Sequence, residues 1–162
     1  FRRFALRLCL FLISHHFHGM RRMSDRSFVD SNIWLYALVL RPGEEARHQQ
    51  AQSLISAPLQ RTISEQVIAE VSVNLLRKAK LDEARLLPVV ESFYGRCNVV
   101  VPNFALHRSA HLLRQDYLLS YWDSLIVAAA LVRDCEILYS EDMQHGLLVG
   151  GRLKIVNPFI VS

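Results

Sequence analysis

The chain has 162 residues, enough for one domain with a sizeable core, and its 51% hydrophobic and 21% charged composition excludes a disordered polypeptide. Its formal charge of +4 stems from residues 1–22, which hold five arginines and no acid; residues 23–162 carry fourteen basic against fifteen acidic side chains, a balance of −1 that argues against nucleic-acid binding by bulk charge. Three cysteines, Cys9, Cys97 and Cys135, form no C-x-x-C pair, so neither a disulfide framework nor a zinc knuckle is suggested, and a reducing cytoplasm is the expected setting.

Residues 1–22 join Arg2-Arg3 to the apolar Leu8–Ile13 run and then to His15, His16 and His18. Arg7 interrupts the apolar stretch, which is too short for a transmembrane helix and lacks the core and cleavage site of a signal peptide. With Met20 and Met23 available as starts, this segment is expected to be an upstream extension outside the fold, and the folded body to span residues 23–162.

From Met23 onward short apolar runs alternate with helical patterns, the signature of βαβ units around a parallel sheet. A strand is predicted at Ser27–Asp30, then a helix through Ile33, Trp34, Leu35 and Leu38 ended by Arg41-Pro42-Gly43, and a second helix from Glu44 to about Ser56. After a short strand at Arg61–Ile63, Ser64 is a good N-cap for a helix with Glu65 in its first turn and Arg77-Lys78 in its last, each charge suiting the dipole. Another helix spans about Asp82–Tyr94, with Pro88 placed to kink or split it. Cys97–Val101 reads as a buried strand stopped by Pro102, and Ala105–Tyr117 as a helix. Trp122–Arg133 is apolar nearly all round, which argues a central buried helix, and Ile137–Tyr139 and Leu153–Val156 supply the last strands.

Four carboxylates stand at the edges of these apolar segments: Asp30, Glu70, Asp123 and Asp142. Each has an ordinary reading. Asp30 sits where a strand meets a helix and can cap that helix; Glu70 lies mid-helix, where a solvent-facing Glu is common; Ser120-Tyr121-Trp122-Asp123 matches a capping box; Asp142 follows a strand where turn chemistry tolerates it. Jointly they occupy the same kind of place, and in open α/β sheets ligands bind outside the carboxyl ends of the strands. If the fold gathers them, their repulsion in a partly dry cleft is relieved by a hard divalent cation with oxygen ligands, which points to a metal-dependent enzyme acting on phosphate. Asn32 is placed to orient Asp30 through its amide.

The ordered set Phe28-Val29-Asp30-Ser31-Asn32, Ile68-Ala69-Glu70-Val71, Trp122-Asp123-Ser124 running to Ala130, and Tyr139-Ser140-Glu141-Asp142 running to Gly146 resembles a PIN domain, in particular the VapC-type toxins of bacterial toxin–antitoxin pairs. The resemblance covers residues 26–160. It implies a three-layer α/β/α fold with a central parallel sheet and a Mg²⁺- or Mn²⁺-dependent endoribonuclease. Asp30, Glu70, Asp123 and Asp142 become the acidic, metal-holding site, with Ser140 and Asn32 supporting it. Asp30 and Asp123 are expected to hold the metal most directly, and Glu70 and Asp142 to hold a water or complete a weaker second site. An RNA substrate, a small cognate antitoxin and a homodimer are the implied partners, with no membrane.

Contacts to RNA are open at this level. Arg77, Lys78 and Lys80 suit phosphates and equally suit a helix C-terminus; Trp34, Tyr36, Tyr121 and Trp122 suit base stacking and equally a core; His145 is a candidate proton carrier or a surface histidine. A haloacid-dehalogenase-like phosphatase would want a second Asp where Asn32 stands. An inactive protein-binding module and a housekeeping RNA-processing nuclease are the remaining alternatives.

Overall fold

The computed structural model describes residues 26–57 and 59–160; the upstream extension expected at residues 1–22 lies outside them. The elements in chain order are β1 (Arg26–Val29), α1 (Ser31–Leu38), α2 (Glu45–Ser56), β2 (Gln60–Ser64), α3 (Glu65–Arg77), α4 (Glu83–Arg96), β3 (Asn98–Val100), α5 (Phe104–Tyr117), α6 (Tyr121–Val132), β4 (Ile137–Tyr139), β5 (Leu148–Val149) and β6 (Leu153–Val156). Short polar side chains start most helices. Asp30, Ser64, Asp82, Asn103 and Ser120 each accept a hydrogen bond from a backbone N–H in the first turn that follows.

The strands form one six-stranded sheet in the order β3-β2-β1-β4-β6-β5. All pairs are parallel except β5 with β6, so the central sheet is mostly parallel, as expected. Strand β5 has no counterpart among the predicted elements. Two residues carry no periodicity, and the pairing depends on Gly150 and Gly151, whose positive φ lets the chain turn back tightly before Leu153.

From β1 to β2 to β3 the chain moves one way along the sheet, and then it returns to β4 on the far side of β1. Right-handed crossovers put α1 to α4 on one face and α5 and α6 on the other, the three-layer arrangement. Strand β2 shows this directly: α3 packs against it and so does α6, and Arg61, Thr62, Ile63 and Ser64 are all buried. The two terminal nitrogens of the buried Arg61 guanidinium donate to the carbonyls of Leu54, Ala57 and Leu59, which ties the end of α2 to the strand, while its Nε is left without a partner. Residues 124–130 of α6 are buried without a break, as expected of a helix apolar on every side.

Pro88 sits inside an unbroken α4. It is exposed, and Leu86, Val89 and Phe93 hold the opposite face in the core, so packing outweighs the lost hydrogen bond. Among the described residues no helix is long and apolar enough to cross a membrane.

Candidate active site

The strand order reverses between β1 and β4, and the ends of these two strands carry Asp30 and the Ser140–Asp142 turn. That is the switch point of an open α/β sheet, where neighbouring connections leave to opposite faces and open a crevice. Asp30 is 4% exposed at the floor of it. Its Oδ1 accepts from the Ser31 N–H at 2.6 Å, while Oδ2 accepts from the Ser140 hydroxyl at 2.7 Å and from Asn32 Nδ2 at 3.2 Å. Ser140 is itself fully buried.

Burial pushes the Asp30 carboxyl up to about 6; the Ser140 and Ser31 hydrogen bonds act against this, and the charges of Glu70 and Asp142 add to it. Two acids far off in sequence are therefore close enough to repel it. Asp142 is also joined to it through one amide: Asn32 Nδ2 donates to Asp142 Oδ2 at 3.0 Å as well as to Asp30. The Asp142 N–H reaches Ser140 Oγ at 3.3 Å, so the turn after β4 is bound to the end of β1 by several contacts. Between these residues Glu141 turns its side chain away, to Arg47 of α2 at 2.6 Å.

Glu70 lies in α3 with Oε1 accepting from Gln66 Nε2 at 3.0 Å. The same Gln66 amide approaches the Trp122 carbonyl at 3.5 Å, linking α3 to the first turn of α6. Asp123, in that turn, has a reciprocal contact with its cap. Its N–H donates to Ser120 Oγ at 3.1 Å, and the Ser120 hydroxyl donates to Asp123 Oδ2 at 2.7 Å. The structure thus brings Asp30, Asn32, Ser140 and Asp142 into one hydrogen-bonded set, puts Glu70 within electrostatic reach, and seats Asp123 on Ser120.

Among the described residues no three acidic, histidine or cysteine side chains stand close enough together to hold a metal ion. The donor set nonetheless fits a hard divalent cation. It is all oxygen, it includes a buried carboxylate whose charge lacks a cationic partner among the contacts above, and the carboxylates around Asp30 repel one another until a positive charge arrives.

A groove of about 710 Å³ runs between α3, α5 and α6; of the four acids Glu70 lines it, with Gln66, Val73, Leu106, Tyr121 and Trp122. Tyr121 and Trp122 are 45% and 60% exposed, whereas Trp34 is buried edge-on to Phe93 and Tyr36 is half-buried, so the four aromatics divide into two surface and two packed residues. Arg77, Lys78 and Lys80 are exposed at the end of α3. His145 is exposed, and its Nδ1 accepts the Asn157 N–H at 3.0 Å. The sequence puts Gln66 beside Glu65 in the first turn of its helix; its contact with Glu70 was not anticipated, although a place four residues before Glu70, on the same helix face, is the signal that would have found it.

The sequence profile of the PIN domain family matches residues 27–146. The chain belongs to the PIN domain family. Solved structures that resemble this PIN domain include the following three. A toxin–antitoxin complex from Klebsiella pneumoniae superposes with a TM-score of 0.62 at 23% identity, covering 83% of this chain and 99% of that one. VapC20 of Mycobacterium tuberculosis, a sarcin-ricin-loop-cleaving toxin, gives 0.55 at 22% identity over 72% and 91%. VapBC2 of Rickettsia felis, bound to a DNA fragment from its promoter, gives 0.51 at 15% identity over 82% and 99%. No curated protein matches the sequence significantly.

Proposed function

We propose that this PIN domain is a Mg²⁺- or Mn²⁺-dependent endoribonuclease, the toxin of a toxin–antitoxin pair acting in the cytoplasm. One observation carries the reading: a buried carboxylate at the sheet's switch point, Asp30, with Glu70 and Asp142 near enough to raise its pKa and no cation among its own contacts. Family membership and the likeness to toxin–antitoxin complexes and to an RNA-cleaving toxin support the substrate class and the partner.

In this reading Asp30 and Asp123 hold the ion most directly, and Glu70 and Asp142 hold a water or complete a weaker second site. The Ser140 hydroxyl and the Asn32 amide keep the Asp30 carboxylate aimed by occupying one lone pair each on Oδ2. Asp123 keeps one oxygen for the cleft while the other takes the Ser120 hydroxyl. A bound Mg²⁺ or Mn²⁺ supplies a nucleophilic water at neutral pH and positive charge against the phosphoryl oxygens. Attack by water, rather than by the ribose 2′-hydroxyl, leaves a 5′-phosphate and a 3′-hydroxyl. The apolar groove with Glu70 in its wall suits an inserted segment of a small antitoxin, which would mask the acids. Phe104 and Leu118, 84% and 90% exposed at the two ends of α5, suit association with a second copy.

The test is incubation of the purified protein with total cellular RNA, with Mn²⁺ or with chelator, and mapping of the cut ends. Cleavage by the wild type with Mn²⁺ alone, abolished by Asp30→Asn, is expected; cleavage that persists in chelator or in Asp30→Asn overturns the reading. The spacing of the acids favours one alternative, an inactive PIN-like module that binds other proteins. Calorimetry showing no Mn²⁺ binding near neutral pH would decide for it.

A further inference from the structure

We propose that Arg47 and Glu141 form a clamp that aims the acidic site, with Arg47 of α2 holding the Ser140–Asp142 turn so that the Glu141 peptide fixes the Asn32 amide, and through it the directions of Asp30 and Asp142. The inference rests on the reading of those acids as a metal-dependent centre.

The Asn32 amide has two unlike ends, and the site depends on which way round it stands. Its Nδ2 faces Asp30 Oδ2, Asp142 Oδ2 and Ser140 Oγ, at 3.2, 3.0 and 3.4 Å. Turned over, it would set a carbonyl oxygen against two carboxylates. The Glu141 N–H, which donates to Asn32 Oδ1 at 3.3 Å, selects the working orientation. That N–H is delivered by a turn whose only charged side chain aimed away from the acids is Glu141, and Glu141 is only 21% exposed in its pairing with Arg47.

Arg47 is held on three sides. It donates to Tyr36 Oη at 2.7 Å, and its guanidinium lies 5.4 Å from the Tyr36 ring centre and 5.6 Å from that of Phe159. The two rings meet edge to face at 4.9 Å. Tyr36 lies one helical turn after Asn32 on α1, so both ends of the network rest on the same helix. On the other side Asn157 Nδ2 reaches the Glu141 carbonyl at 3.5 Å, which brings in the segment after β6. The pairing also neutralises Glu141. Without Arg47 its carboxylate would be one more negative charge opposing an RNA phosphate. Arg47 and Glu141 are thus positioning residues, acting through Asn32.

The experiment measures Mn²⁺ binding by the RNA-free protein at pH 7.5, by calorimetry, together with melting in chelator. Arg47→Met is expected to weaken Mn²⁺ binding about tenfold. Arg47→Lys, which keeps the charge and loses the planar fork, should fall between it and the wild type. Glu141→Gln added to Arg47→Met should weaken binding no further, because both changes break one link. Unchanged Mn²⁺ affinity in Arg47→Met, with or without a lower melting temperature in chelator, would confine the clamp to packing and overturn the inference while leaving the metal centre standing. A wild type that binds no Mn²⁺ would sink both.

Discussion

Burial works against the charge of Asp30. With its carboxyl raised from 3.8 to about 6, the ionised form destabilises the ion-free fold by about 3 kcal/mol at neutral pH. The folded state binds this proton more tightly than the unfolded chain does, so the group's contribution is fully present below 3.8 and is lost as pH rises through about 6. In chelator the melting temperature of the wild type relative to Asp30→Asn should therefore fall from pH 4 to pH 7.5, where the variant should be the more stable of the two; a difference independent of pH would count against the raised carboxyl. At this scale the sequence was partly legible. That Asn32 would touch Asp30 follows from two positions at a strand–helix junction, but that the same amide also reaches Asp142, 110 residues away, follows from nothing local.

Helices α4 and α6 show how far local rules carry at the scale of elements. In α4 the lone proline removes a backbone donor in the middle of an exposed face, and the buried stripe of Leu86, Val89 and Phe93 keeps the helix whole. Pro88→Ala should restore the bond to the Ala84 carbonyl and raise stability by about 1–3 kcal/mol, read by urea unfolding; a loss would mean that the helix is shaped around the ring. In α6 the Ser120 side chain caps the helix through the Asp123 N–H, and its hydroxyl, in place of the backbone N–H of a full capping box, seats the Asp123 carboxylate. Ser120→Ala should cost about 1 kcal/mol by the same measurement. The caps, the all-round apolar α6 and the strand–helix alternation were readable because each is settled by neighbours a few residues apart. Strand β5 was not, because its two residues pair only when β6 is already in place.

For the whole molecule, the exposed apolar ends of α5 bear on assembly. Phe104 is 84% exposed and Leu118 90%, which makes Phe104 the side chain to change in testing the proposed second copy. Light scattering should give the mass of a dimer for the wild type and of a monomer for Phe104→Glu, with the melting of the separated chain little changed; a monomeric wild type would remove the second copy from the proposed assembly. By itself the sequence determined the elements other than β5, their order, and the places of Asp30, Asp123 and Asp142 at element ends and of Glu70 within a helix, since periodicity, caps and turn chemistry act within a few residues. Tertiary structure alone decided that Asp30 meets Asp142 through Asn32, that Glu70 reaches Asp30 through space and that Glu141 turns to Arg47. The reason is physical: distances between groups a hundred residues apart depend on strand order and on how two helical layers pack across one sheet, and neither is written in any short stretch of the chain.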